Sequence, residues 1–363
     1  MKALRLYAGP DARRHIELHG LQPQAVGAIP AAAGGPKGLI LGPLDRFLFG
    51  EWLPHSEQSV HLIGASIGAW RMATVCLNHS ATALQQLERD YIAQHFDLPP
   101  GQKRASTDQI SRQFRQNLHG FFGGRVAEVL ANPRYRLHVL ASRGRGLLAH
   151  DGRWRTLLGY AGAYAVNALN RHALSTVIDR VVFTGGHQGE EGEALPFDTG
   201  DFRTHQVRLS EGNFMDALQA SCSIPFVLRP VHNIAGAPRG AYWDGGITDY
   251  HMHLRYRLPS ASPLVLYPHF QKAVVPGWLD KAWTWRHAAT PALASMLVVA
   301  PDPAWVKTLP NARLPDRSDF ARYGQDIAAR SKAWLSATSA AQQLADEFAQ
   351  WLQKPDLSQI EAL

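Results

Sequence analysis

Gly64-Ala65-Ser66-Ile67-Gly68 is the stretch that decides how this chain folds. An apolar run, Ser59-Val60-His61-Leu62-Ile63, precedes it, and Ala69-Trp70-Arg71-Met72-Ala73-Thr74-Val75 follows it. The order predicts a short strand, a tight corner and a helix, with the hydroxyl of Ser66 exposed at the corner. Flanking glycines fit a turn at which neighbouring backbone passes close by. This placement is typical of a serine nucleophile that attacks an acyl carbon.

Short apolar runs alternate with longer helical patterns along most of the chain. We predict strands at 25–29, 59–63, 136–140, 181–186, 204–209, 241–243, 263–267 and 296–299, and helices at 39–49, 82–95 and 319–352. The alternation predicts a three-layer α/β fold, in which helices flank both faces of a mainly parallel sheet. We expect one domain over 1–363, with an insertion or cap around 99–175 and a helical C-terminal tail around 319–363.

The composition is that of an ordinary globular protein, with 45% hydrophobic and 18% charged residues. The two cysteines, Cys76 and Cys222, show no metal-ligand spacing and favour a reducing compartment. Met1 to Pro10 has no secretory apolar region, and no uncharged run approaches the roughly 20 residues that span a bilayer. We therefore expect a cytoplasmic protein.

A net charge of +7 allows an acidic partner such as an anionic membrane surface. The arginines are scattered, and we see no nucleic-acid motif, so we expect no nucleic-acid partner. A well-solvated basic surface explains the charge equally well. Peripheral membrane contact stays an open expectation, and so does the oligomeric state.

A small-residue loop, Ala31-Ala32-Ala33-Gly34-Gly35-Pro36-Lys37-Gly38, lies between the first predicted strand and its helix. Backbone amides at a helix start can face the negative charge that develops on a reacting carbonyl oxygen. Pro36 has no N–H, so the donors would come from Gly34, Gly35, Lys37 or Gly38. A plain tight turn would have the same residues. A phosphate-binding loop is disfavoured because the Gly-x-x-x-x-Gly-Lys-Ser/Thr pattern is absent.

Asp244 is the candidate base, within Trp243-Asp244-Gly245-Gly246. It follows a predicted strand, and ligand sites of doubly wound sheets gather at the carboxyl ends of strands, where Ser66 would also lie. An ordinary Asp-Gly turn is the alternative interpretation.

Taken together, these elements resemble the patatin-like phospholipases. That family has a glycine-rich oxyanion loop, a Gly-x-Ser-x-Gly elbow and an Asp-Gly-Gly/Ala loop, and this chain has Gly34–Gly38, Gly64–Gly68 and Asp244–Gly246 in the same order. A fourth element, Ala217-Leu218-Gln219-Ala220-Ser221-Cys222-Ser223-Ile224-Pro225, resembles the segment that those proteins have before the aspartate.

The resemblance implies a Ser-Asp dyad without histidine that hydrolyses acyl esters of lipids, such as phospholipids or lysophospholipids. Ser66 would be the nucleophile and Asp244 its base, and the chemistry needs no cofactor and no metal. The residues that would form the oxyanion hole are Gly34, Gly35, Lys37, Gly38 and Ile67. The supporting glycines would be Gly64, Gly68, Gly245 and Gly246.

The chain departs from the family pattern in two places. Ala33 replaces the first oxyanion glycine, with Ala32 before it, and Asp249-Tyr250-His251 replaces the family's residues after the Asp-Gly-Gly. Two alternative functions stay open. One is an esterase or thioesterase with a Ser-Asp-His triad, and the other is a lipid- or partner-binding protein of the same fold. His251, His253, His269 and His287 all follow Asp244 and could complete such a triad.

Trp278, Trp283 and Trp285 lie near Lys281 and Arg286, a composition found in interfacial membrane anchors as well as in buried cores. We expect 276–287 and Arg143–Leu148 to flank the mouth of the Ser66 site and to contact an anionic membrane.

Overall fold

The structure is a computed structural model that describes residues 1–95, 105–185 and 194–363. One sheet contains the eleven described strands: β1 (Leu4–Ala8), β2 (Val26–Ala31), β3 (Val60–Ala65), β4 (Tyr135–Gly144), β5 (Ile178–Thr184), β6 (Thr204–Arg208), β7 (Val231–His232), β8 (Ala241–Asp244), β9 (Leu264–Pro268), β10 (Met296–Pro301) and β11 (Ile360–Ala362). The α-helices of the same residues are α1 (Pro10–His19), α2 (Gly42–Phe47), α3 (Ile67–Val75), α4 (Ser80–Ala93), α5 (Thr107–Phe122), α6 (Val126–Leu130), α7 (Arg153–Leu169), α8 (Phe214–Ser221), α9 (Pro303–Val306), α10 (Ser318–Tyr323), α11 (Ile327–Ala340) and α12 (Gln342–Gln353).

The main path of the sheet runs β11-β1-β10-β9-β2-β3-β4-β5-β6, and β8 pairs with β4 and β7. From β10 to β4 every neighbouring pair is parallel. Four pairs are antiparallel. β1 pairs in this way with β10, β5 and β8 each pair with β4, and β7 pairs with β8. The prediction of a three-layer α/β fold with a mainly parallel sheet is confirmed.

Successive residues of the central strands point into two different hydrophobic clusters. Leu62 belongs to one cluster and Ile63 to the other, and Val139 and Leu140 divide in the same way. Alternate side chains of a strand face opposite sides, so the two clusters lie on the two faces of the sheet. Burial on both faces explains why these strands are continuous apolar runs rather than alternating ones.

The two ends of the chain add strands that the sequence pattern does not reveal. β1 lies between β10 and β11, and its exposed Arg5 pairs with Asp302 and Glu361. The helical tail predicted around 319–363 contains three helices, α10 to α12. β11 has only three residues, too few for a period-two pattern to stand out.

The segment expected as an insertion, 99–175, contributes to the centre of the sheet as well as to its surface. β4 lies within it and pairs with β3, β5 and β8. Only the helices around this strand, α5 to α7, therefore fit the interpretation as an inserted cap. Residues 99–104, and Gly186 of the strand predicted at 181–186, lie outside the described residues.

Candidate active site

Ser66 lies at the turn between β3 and α3, with φ 56° and ψ −131°. The residue is only 3% exposed, so the turn is confirmed but the expected exposure is not. A positive φ is rare for a residue with a side chain and costs about 1–3 kcal/mol, which the surrounding structure must offset. A Cβ on Gly64 would lie 2.6 Å from the amide nitrogen of Ala69, and one on Gly68 would lie 2.1 Å from the carbonyl oxygen of Ala31. Both flanking positions are therefore restricted to glycine by contact with backbone.

Asp244 reaches Ser66 because β4 lies between their strands. Ala65 of β3 pairs with Leu140, and Asp244 of β8 pairs with Ala141, the next residue of β4. Gly245 continues this close packing, since a Cβ there would lie 2.0 Å from the carbonyl oxygen of Leu140. The register thus brings together two side chains that are far apart in the sequence.

The carboxyl group of Asp244 is almost completely buried, at 4% exposure. Burial raises its pKa, and four neighbours oppose that rise by favouring the carboxylate: the charges of Arg317 and Lys281, the nearby Ser66 hydroxyl and the N–H of Gly246. The Gly246 N–H donates to Asp244 Oδ1 at 2.7 Å. The site therefore combines a desolvated carboxylate with a serine hydroxyl, the pairing that a Ser-Asp dyad requires.

The segment 217–225 supports both of these residues. Ser221 Oγ accepts a hydrogen bond from the N–H of Ser66 at 2.9 Å, and the carbonyl of Ser223 accepts one from the N–H of Asp244 at 2.9 Å. Between them, Cys222 lies next to Ser66, and burial raises the pKa of its thiol well above the usual range. Cys222 is therefore a neutral neighbour rather than a thiolate nucleophile.

Backbone amides of the loop after β2 meet the Ser66 turn. The N–H of Ala33 donates to the carbonyl of Tyr250 at 2.9 Å, so this amide is already occupied. The N–H groups of Gly34, Gly35 and Ile67 have no hydrogen-bond acceptor among the residues that the structure describes. They are the free donors of this region.

The other loop positions have different constraints. A Cβ on Gly34 would lie 2.7 Å from the ring of Phe270, and Gly35 has a positive φ of 58°. Gly38 is not sterically restricted, because a Cβ there would meet only ordinary contacts at 3.7 Å or more. The Lys37 ammonium group lies 3.9 Å from the Asp316 carboxylate and 5.7 Å from the centroid of the Phe270 ring.

A cavity of about 190 Å³ opens above Asp244. Its walls combine the loop after β2, the Asp244 loop and two segments from the C-terminal third of the chain. The lining residues are Ala33, Gly34, Lys37, Ile224, Pro225, Asp244, Gly246, Ile247, Tyr250, Trp278, Lys281, Asp316 and Arg317. The volume is below the 300–1,000 Å³ typical of drug-sized ligands, so it fits the reacting part of a larger substrate.

The histidines that follow Asp244 have other partners. His251 Nδ1 lies 3.2 Å from the carbonyl of Ala273 and the same distance from His269 Nε2. His253 contacts the carbonyl of Val274 and the hydroxyl of Thr290, and His287 the carbonyl of Asp280. In the described ranges no histidine is hydrogen-bonded to Ser66 or Asp244. Among all the residues that the structure describes, no group of three or more His, Cys, Asp or Glu could hold a metal ion.

Sequence reasoning gave no role to three residues of this site. Ser221 belongs to a recognised segment, but its bond to Ser66 depends on three-dimensional contact. Lys281 was considered only as part of a membrane anchor. Arg317 lies 251 positions after Ser66 in a segment without a motif, so no local pattern could have indicated it.

The comparison with protein families identifies the family to which the chain belongs. Residues 34–251, more than half of the chain, match the family model described as patatin-like phospholipase, and the chain belongs to that family. The family hydrolyses acyl esters of lipids, which assigns the chain to the lipid acyl hydrolases. Comparisons with curated proteins and with solved structures found no match. Lys281 and Arg317 lie beyond the matched region.

Proposed function

We propose that the protein hydrolyses carboxylic esters of lipids, phospholipids or lysophospholipids, through a Ser66-Asp244 dyad and an acyl-enzyme. The observation that carries the proposal is the shared position of the two side chains. Ser66 lies on a strained turn, and the Asp244 carboxylate lies close enough to it, in a desolvated site, for the Ser66 hydroxyl to lower the pKa of that carboxyl group.

The first half of the reaction transfers the acyl group to the enzyme. Ser66 Oγ attacks the ester carbonyl while its proton passes to the carboxylate of Asp244. The tetrahedral intermediate then collapses, the bond to the alcohol breaks, and Asp244 returns the proton to the departing oxygen. In the second half, water attacks the acyl-enzyme and gives its proton to Asp244. The acyl–Oγ bond then breaks, Asp244 returns the proton to Ser66 Oγ, and the fatty acid leaves.

The oxyanion of the intermediate needs donors beside Ser66. The unoccupied N–H groups of Gly34, Gly35 and Ile67 supply them in this proposal. Each donor of this kind is typically worth about 10²–10³ in rate. The backbone N–H groups of Lys37 and Gly38, which follow in the short 3₁₀ helix Gly35–Leu41, remain further candidates for donation in this proposal.

Two observations weigh against the alternatives. A Ser-Asp-His triad would need a histidine between the two residues, and the described histidines hydrogen-bond elsewhere. A binding protein without activity would have no reason to retain a strained serine beside a buried carboxylate.

The test is a comparison of wild type with Ser66→Ala and, as a matched control, Ser223→Ala. The Ser223 hydroxyl donates to the carbonyl of Gln219 inside its own segment, 2.9 Å away. Ser66→Ala should lose fluorophosphonate labelling and at least about 10³-fold in ester hydrolysis, and Ser223→Ala should retain both. Labelling of a folded Ser66→Ala protein would contradict the proposal.

We further propose that the protein is a single cytoplasmic domain that docks on anionic membranes. None of the helices in the described parts of the chain is long and apolar enough to cross a bilayer. The three tryptophans expected at the mouth differ in position: Trp278 lines the cavity, Trp283 is half-buried and Trp285 is 72% exposed. Arg143 and Arg145, in contrast, share the buried carboxylate of Asp179, which offsets part of their charge.

The exposed apolar side chains point to α7 as the main docking element. Trp154, Leu157, Leu158 and Leu169 are 47–88% exposed on it. Its Tyr164 lies 5.1 Å from Trp283, ring centroid to centroid, and Trp283 stacks on Trp285. An apolar surface thus extends from α7 to the tryptophans beside the cavity, and a helix with this surface suits the membrane interface.

A further inference from the structure

Two cations of the cavity form no direct ion pair within the described parts of the chain. Lys281 and Arg317 both line it, and neither side chain forms an ion pair or a hydrogen bond with any residue in the parts of the chain that the structure describes. Both residues are exposed overall, and what distinguishes them from other exposed cations is that they share the wall of one cavity. Unpaired charge facing a cavity is a feature of ligand sites rather than of packing.

Lys281 is held in place by aromatic rings. Its Nζ lies 4.1 Å from the centroid of the Tyr250 ring and 6.0 Å from that of Trp278. Cation–π contacts orient the ammonium group but leave its three N–H donors available for an acceptor. The ammonium is therefore positioned without being neutralised.

Arg317 approaches the same space from the start of α10. A Cβ on Gly35 would lie 3.0 Å from Arg317 Nε, so the guanidinium lies against the loop that contains the free Gly34 and Gly35 amides. Its charge also acts on Asp244, Tyr250 and Lys281. Arg317 thus lies within reach of both the reacting centre and Lys281.

The acidic groups of the cavity, Asp244 and Asp316, offset the charges of these two only in part. Asp316 lies 3.9 Å from Lys37 and 4.0 Å from Arg313, so it already faces two cations. Asp244 is the catalytic carboxylate of the proposed dyad. Burial, together with the charges of Arg317 and Lys37, lowers the pKa of Lys281 to about 8, although part of its side chain reaches solvent. A bound anion would relieve this repulsion.

We propose that Lys281 and Arg317 form a binding site for an anionic group of the substrate, a phosphate or carboxylate next to the scissile ester. The inference rests on the proposed hydrolase function and adds the substrate class. Arg317 offers a planar fork of donors that fits two oxygens of such a group, and Lys281 offers a point charge. The cavity has room for an ester and one small anionic group, whereas the acyl chain extends outside it.

The experiment compares esters that differ only in the anion. Monobutyrylglycerol and monobutyrylglycerol 3-phosphate form a soluble pair, and monopalmitoylglycerol with its 3-phosphate forms a lipid pair. We expect wild type to favour the phosphate in kcat/KM in both pairs. Lys281→Gln and Arg317→Gln should each lower the phosphate-to-neutral ratio about tenfold or more, the usual effect of a lost charge-assisted hydrogen bond.

Lys307→Gln and Arg322→Gln are matched controls, because both residues are exposed cations outside the cavity lining. They should leave the ratio unchanged. A preference seen only with the palmitoyl pair would come from attraction to the charged lipid surface, and it would overturn the proposal. Equal rates for phosphate and neutral esters would also overturn it, while leaving the hydrolase function intact. Absence of hydrolysis of all four esters would instead contradict the proposed function.

A pH series gives a second readout. Lys281 loses its charge as the pH rises through about 8, so the wild-type ratio should fall across that range. Lys281→Gln should lack this step. A wild-type ratio that is constant from pH 6 to pH 10 would contradict the role of Lys281.

Discussion

Ser221 fixes Ser66 through two hydrogen bonds of one hydroxyl. Its Oγ accepts the N–H of Ser66 at 2.9 Å and donates to the carbonyl of Leu140 at 2.6 Å. Leu140 pairs with Ala65, the residue before Ser66, so the hydroxyl connects the strained turn to the neighbouring strand. All these atoms are buried, where an unsatisfied donor or acceptor costs about 1–3 kcal/mol.

Ser221→Ala should therefore reduce both stability and catalysis. We expect the free energy of unfolding to fall by about 1–3 kcal/mol for each polar group left unsatisfied, and kcat to fall about tenfold because Ser66 is less well positioned. Denaturant unfolding and kcat on a soluble ester measure the two effects.

Ser223→Ala again serves as the control, because its hydroxyl bonds only to Gln219 while its carbonyl continues to accept the N–H of Asp244. It should lose stability with kcat close to that of wild type. A Ser221→Ala enzyme with normal kcat would show that this hydroxyl does not position the nucleophile.

Asp244→Asn should abolish activity and increase stability at neutral pH. Burial raises the pKa of Asp244 above its unfolded value, so the folded state binds the proton more tightly. The associated stability is present at low pH and is lost as the pH rises through the folded pKa. An asparagine stays neutral and can still accept the Gly246 N–H.

Thermal unfolding at pH 4 to 8 tests the direction of this pH dependence of stability. The Tm of the Asp244→Asn variant should exceed that of wild type at pH 8, and the difference should shrink toward pH 4. An advantage that grows as the pH falls would contradict the buried, ionised carboxylate.

Arg317→Gln should shift the acid limb of the pH–rate profile. Arg317 lowers the pKa of Asp244, so its removal raises that pKa further and protonates the base at higher pH. With a neutral soluble ester, kcat/KM should begin to fall at a higher pH than in wild type. Arg322→Gln, within α10 just after Arg317, is the control and should leave the profile unchanged. An Arg317→Gln profile that does not shift would contradict the influence of Arg317 on the pKa of Asp244.

The central strands and the glycine-flanked turn at Ser66 were predictable because local chemistry determines them. Continuous apolar runs mark strands that are buried on both faces, and the glycines around Ser66 are required by contacts within 2.6 Å. The predicted strand at 59–63 lies within one residue of the start of β3 (Val60–Ala65).

The cavity walls could not be predicted in the same way. Lys281 and Arg317 come from segments whose side chains have no periodic pattern, and they reach Asp244 only because the chain folds back over the sheet. β11 was missed for a related reason, since three residues pair with β1 from the far end of the chain. Contacts of this range leave no local signal.

The last prediction concerns membrane docking through α7. Trp154 and Leu158 are 70% and 60% exposed, and transfer of each side chain into the interface should contribute about 1–2 kcal/mol. Trp154→Ala and Leu158→Ala should each weaken sedimentation with anionic vesicles about tenfold, and Trp283→Ala should weaken it less because that ring is half-buried.

Leu18→Ala, at a 70% exposed position on α1, is the control and should bind like wild type. Because basic residues contribute about 1 kcal/mol each at such a surface, binding should also weaken as ionic strength rises. Equal loss in the α1 and α7 variants, or no binding at low salt, would exclude α7 as the docking element.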